Sequence, residues 1–171
     1  MAYLLTRALA DPAAAARHLL HHDTVFGVEQ ASGRTGPGGA ALIELTLRPL
    51  PALQNAKYPT ERIRLIIRPD TTVHAFPLGA PDRIFKHRNP PPLRDLCLQY
   101  PGDDPALLWL PEDGLEPLVT LIHRHLIYEE TWRRTGTWPA EDTPHGHPTQ
   151  GVHPLTTTEM QLEARRWTRQ Q

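Results

Sequence analysis

The chain has 171 residues, 39% of them hydrophobic, enough for one domain of ordinary size and short for two. Its 18 basic and 19 acidic side chains give a formal net charge of −1, so it lacks the basic excess that nucleic acid or an anionic membrane surface selects. A single cysteine excludes an internal disulfide and a four-thiolate zinc site, and no run approaches the roughly 18 apolar residues of a membrane helix. The expectation is a cytoplasmic, reducing compartment, with neither nucleic acid nor membrane as partner.

In chain order, the first predicted element is a helix. Asp11 is placed to cap it and Pro12 occupies the first helical position, where a missing N–H costs nothing. "AAAARHLLHH" continues it with strong helix formers, anchored by Leu19 and Leu20. His21 and His22 at its end suit the helix dipole. "TVFGVEQ" reads as a strand, and "ASGRTGPGG", with four glycines, as a turn. "AALIELTLRPL" is a second strand, with Leu42, Glu44, Thr46 and Arg48 on one face and Ile43, Leu45 and Leu47 on the other. "PALQNAKYP" is a connection. "RIRLIIRP" alternates most cleanly: Ile63, Leu65 and Ile67 face a core, and Arg62, Arg64 and Arg68 form a solvated face. One more strand is expected in "TTVHAF" or "DRIFKH".

A proline-rich loop, "FKHRNPPPLRDLCLQYP", follows. It belongs to a wider pattern: 19 prolines run from Pro12 to Pro154 without a repeat and punctuate many loops and short elements. The longest helix comes next, with Asp113 and Glu116 at capping-box spacing and Gly136 as a stop. Its stripe of Leu115, Leu118, Val119, Ile122 and Leu126 should cover the sheet. His123 and His125, two apart, point to different faces of it, and Trp132 and Trp138 should pack its end against the sheet. Residues 137–155 read as irregular, and the tail opens with Thr156 and Glu159 at capping-box spacing, as for a short last helix. The order defines an α+β class: an antiparallel meander flanked by an N-terminal helix and C-terminal helices. The expected organisation is one domain over 1–138, with 139–171 as a Pro/Gly/His loop and a helix packed on it or extending from it.

The chemistry of the chain centres on Cys97. A lone cysteine is most often a small buried hydrophobe. This one ends a surface loop, where reactive residues tend to be placed, with His87 and Asn89 shortly before it. A thiol nucleophile in acyl transfer needs access and a donor for the oxyanion, and the Asn89 amide is the nearest upstream donor. His145, His147 and His153 share one loop, and three imidazoles can hold zinc with an open position. No cysteine or acid stands at ligand spacing beside them, so no metal or cofactor is assigned.

The spacing of these residues resembles the active-site stretch of ubiquitin-conjugating enzymes, His-Pro-Asn, seven residues, then Cys-Leu. Here His87 and Asn89 are followed by "PPPLRDL" and then Cys97-Leu98. The flanks are similar too: Gly38-Gly39 before a strand, Tyr58-Pro59 before the next, and Trp109-Leu110-Pro111 before the long helix. "YEETWRRTGTWP" is similar to a segment of the bacterial branch, whose members accompany ubiquitin-like and antiviral operons. Arg88 stands where the family has proline, Arg94 where a glycine is usual, and Thr60-Glu61-Arg62 replace a double proline.

The resemblance implies a ubiquitin-conjugating fold and a thioester mechanism. Cys97 would carry a ubiquitin-like protein received from an activating enzyme and pass it to an amine or hydroxyl. Asn89 would support the oxyanion or the loop, His87 would bond the loop backbone, and Asp103 and Asp104 would gate the incoming amine. A ubiquitin-like protein, an activating-type enzyme and a deconjugating metallopeptidase are the implied partners. The alternative is an inactive conjugating-like module that binds a ubiquitin-like protein or an activating enzyme; the presence of the cysteine argues against it.

Overall fold

The computed structural model describes residues 3–22, 25–79, 82–99 and 108–140. Two helices, α1 (Leu5–Ala10) and α2 (Pro12–His21), lead into four strands: β1 (Val28–Thr35), β2 (Ala41–Leu47), β3 (Glu61–Ile67) and β4 (Val73–Leu78). A short helix, α3 (Pro51–Asn55), joins β2 to β3, and the long helix α4 (Leu115–Thr135) follows the irregular segment that carries Cys97. The strands form one antiparallel sheet in the order β1-β2-β3-β4, a meander as expected. Among the described residues no helix is long and apolar enough to cross a membrane.

Alternation builds the core. In β2 the side chains of Ala41, Ile43, Leu45 and Leu47 are buried, and in β3 those of Ile63, Leu65 and Ile67. Register pairs Ile43 with Leu65 and Leu45 with Ile63, so the two apolar rows lie on one face. On the other face Glu44 pairs with Arg64, whose guanidinium donates at 2.7 Å. Leu5, Ala8, Ala15, Ala16 and Leu19 of α1 and α2 close over the apolar face. Leu115, Leu118, Val119, Ile122 and Leu126 of α4 belong to the same core.

Several expectations need correction. Helix α1 precedes the predicted first helix, and Asp11 separates the two while its carboxylate accepts from the Ala14 N–H at 2.9 Å. Leu20 is only half-buried; Ala15 and Ala16 join Leu19 as the buried contacts of α2. β1 starts at Val28 and runs through "ASGRT", so most of the predicted strand "TVFGVEQ" lies before it and the turn is confined to 36–40. Gly33 is therefore a strand residue. A Cβ there would lie 1.9 Å from the Pro12 carbonyl oxygen, so α2 can rest on β1 only over a glycine.

"TTVHAF" supplies β4, and "DRIFKH" forms no strand among its described residues. Asp113 and Glu116 make no capping box with each other. Asp113 accepts from the Leu110 N–H, whereas Glu116 accepts from the Tyr3 N–H at 3.0 and 3.1 Å and bonds His18 at 2.7 Å. α4 ends as predicted at Gly136, which takes the left-handed conformation at φ 73°. Trp138 packs the chain beyond α4 against His87, His125 and Tyr128. The predicted loop of 141–155 and last helix lie outside the described residues.

Candidate functional site

Cys97 is half-buried on the segment between β4 and α4, and its thiol faces the Gln99 carbonyl at 3.8 Å. Prolines 90, 91 and 92 deny this segment a regular ladder, so its order comes from a few specific bonds. The Cys97 N–H donates to the His87 carbonyl at 3.0 Å, and Arg88 and Leu96 form an isolated antiparallel bridge. The two ends of the His87–Asn89–Cys97 stretch therefore lie side by side. Leu96, buried, ties the loop to the sheet through its N–H on the Ala75 carbonyl of β4 at 2.8 Å.

Asn89 is bonded within the loop. Its backbone N–H reaches the Asp95 carbonyl and its side-chain amide reaches Asp95 Oδ1, both at 2.9 Å. Asp95 Oδ2 meets His74 Nδ1 of β4 at 2.7 Å. Burial pushes the Asp95 carboxyl up, but the bonds from His74 and Asn89 outweigh it and hold the group below its ordinary value. A charged carboxylate thus joins loop to strand.

A second carboxylate fixes the other arm. Glu129, with no exposed surface on α4, accepts the N–H groups of Lys86 at 2.8 Å and His87 at 2.7 Å. Burial pushes its carboxyl up as well. His125 at 3.6 Å, together with these two N–H groups, reverses the shift and holds it below the ordinary value. The buried His87 ring lies 4.0 Å from that of Trp138. His87 thus acts in the packing and backbone bonding of the loop.

Beside these anchors a hollow of about 170 Å³ is lined by Pro77, Leu78, Arg83, Phe85, Arg88 and Arg94. Arg83 is held by a two-point pair with buried Glu61, at 2.7 and 2.9 Å. Arg94, where a glycine would sit in the family resemblance, has φ 55°, a conformation glycine adopts without steric cost.

The structure brings His87, Asn89 and Cys97 into one bonded loop; Asp103 and Asp104 lie outside the described residues. Three groups escaped sequence reasoning. His74 sits on a strand next to buried Ala75, and Asp95 looks like any loop acid. Glu129 stands on α4 one turn after His125, and that i, i+4 pair on a helix otherwise read by its apolar stripe was the available signal. His123 and His125 do face different surroundings: His123 lies near Gly27, where burial pushes its imidazole down, and His125 faces His87 and Trp138. Comparison with protein-family models, with curated proteins and with solved structures finds no match to this chain.

Proposed function

We propose that this protein is a ubiquitin-conjugating-type transferase that carries a ubiquitin-like protein as a thioester on Cys97. The observation that carries the reading is the His87 carbonyl bond to the Cys97 N–H. It joins the ends of the spacing shared with that family, at a cysteine that is half-buried. The left-handed backbone at Arg94 and the antiparallel meander support it further.

In the loading step the Cys97 thiolate attacks the carbonyl of the C-terminal glycine, itself a thioester on the activating enzyme. A new carbon–sulfur bond forms, the old one breaks, and the activating enzyme's thiolate leaves. In the transfer step a substrate amine attacks that carbonyl. The carbon–nitrogen bond forms, the bond to Cys97 breaks, Cys97 leaves as thiolate and the amine proton passes to solvent or a nearby base. Asn89 offers two amide hydrogens, one of which is on Asp95 Oδ1; we assign the other to the oxyanion of the transfer step.

The test is thioester capture on a gel run without reductant, with a ubiquitin-like protein, an activating enzyme and ATP. The expected result is a thiol-sensitive adduct that Cys97→Ala abolishes. Asn89→Ala is expected to slow discharge to amine more than loading. An adduct that survives in Cys97→Ala defeats the reading, and equal loss in both steps reduces Asn89 to a loop support.

A further inference from the structure

A second cluster joins the end of α2 to the first turn of α4, away from Cys97 in sequence. His18 lies on α2 and His22 is the residue that caps its C-terminus, four positions on, and the two rings lie side by side. Their centroids are 4.6 Å apart. Glu116, in the first turn of α4, meets them both: its Oε1 is 2.7 Å from His18 Nε2 and 3.8 Å from His22 Nε2. The donor atoms of the three residues all lie within 4.8 Å of one another. Among the described residues no other group of histidine, cysteine or acid side chains brings three such donors together.

We propose that His18, His22 and Glu116 bind a divalent transition metal of the zinc type. Bonds of about 2.0–2.1 Å in a tetrahedron set neighbouring donors about 3.3 Å apart. The two separations from Glu116, 2.7 and 3.8 Å, straddle that value and all three donors lie within 4.8 Å, so rotation of the imidazoles would bring the set to it. The donor set, two imidazoles and a carboxylate, is one zinc accepts, and imidazole favours zinc, nickel, cobalt and copper over magnesium or calcium. The carboxylate is oriented by the Tyr3 N–H, which both its oxygens accept at 3.0 and 3.1 Å, so an ion would be held through Oε1 alone. The Glu116 side chain is 8% exposed and the imidazoles 26% and 30%, so an ion has a route in from one side.

One imidazole is enough to bond Glu116. The second, at one-turn spacing, turns a pair into a chelate. In zinc hydrolases with two histidines at this spacing, a glutamate follows the first histidine and serves as base. Here buried Leu19 holds that position, so the site lacks the hydrolytic base. The bound ion would staple the end of α2 to the start of α4 and leave one position to water.

The experiment titrates Co²⁺ into the full-length protein, reading its visible absorption, and then displaces it with Zn²⁺. One ion per chain is expected. His22→Ala and Glu116→Gln should each weaken binding by about 100-fold or more, since even loss of a residue behind a ligand costs about 10–100-fold. A triple variant, His145→Ala/His147→Ala/His153→Ala, should bind as the wild type does. Zn²⁺ should raise the melting temperature of the wild type and leave that of His22→Ala unmoved. Affinity that survives His22→Ala, that vanishes in the triple variant, or that is absent from the wild type overturns the proposal.

Discussion

In the sheet, Ile43, Leu65 and Ile67 have no exposed surface and are held by apolar neighbours. The loop from Lys86 to Cys97 is built the other way: two carboxylates, Glu129 and Asp95, collect its backbone and side-chain donors. Apolar burial is non-directional and tolerates small shifts, whereas hydrogen bonds to a buried carboxylate fix a backbone to within a few tenths of an ångström. A fold can rest on the first. The proposed transfer, in which one thiol meets one carbonyl at one angle, needs the second.

Substitutions in the two regions should therefore fail differently. Leu65→Ala removes a fully buried side chain from the middle of β3 and should cost about 2–5 kcal/mol. Denaturant unfolding should show sheet and loop lost together; a loop that melts separately would break the picture of a shared core. Glu129→Ala strands the N–H groups of Lys86 and His87 and should cost roughly 1–3 kcal/mol per orphaned donor. Here hydrogen exchange should quicken at Lys86 and His87 while β2 and β3 stay protected. Uniform acceleration would mean that Glu129 supports the core instead.

Asp95→Asn should cost about 1.5–3 kcal/mol at neutral pH, the range for hydrogen bonds to a charged group. Its sign with pH follows from the depressed carboxyl. The folded protein binds the Asp95 proton less readily than the unfolded chain, whose value is the ordinary 3.8. The contribution is therefore complete above that value and disappears as pH falls through the lower, folded one. A plot of stability against pH should be flatter below pH 4 for Asp95→Asn than for the wild type, and parallel curves would contradict the His74–Asp95–Asn89 link. The smallest effect is expected at Arg94. Its left-handed backbone costs about 1–2 kcal/mol in a non-glycine residue, and glycine returns about 0.5–1 in chain entropy. Arg94→Gly should be neutral or stabilising by up to about 1.5 kcal/mol, as read by chemical denaturation.

The same contrast explains what the sequence revealed. β2 and β3 were legible because alternation is a local record of which face is buried. α4 was legible from its 3–4 spacing and its closing glycine. β1 was misread because Gly33 looks like turn chemistry, while its cause is the Pro12 backbone lying across it. The Asp113–Glu116 capping box was misread because Glu116 answers to Tyr3 and His18, far away in the chain. The candidate site divides similarly. The spacing of His87, Asn89 and Cys97 is a local pattern, and the structure closes it into one loop. The carboxylate that anchors the loop comes from Glu129, 42 residues beyond His87, and its one local signal is the i, i+4 spacing from His125.

The most direct test of the account is the intact mass of the wild-type protein after incubation with an activating enzyme, ATP and a ubiquitin-like protein. The account predicts a gain of one ubiquitin-like protein less one water, mapped to Cys97 and released by thiol. Cys97→Ser should give an oxyester that resists thiol. A wild-type protein that gains no mass although the activating enzyme is itself loaded, or an adduct mapped to any other residue, would contradict it.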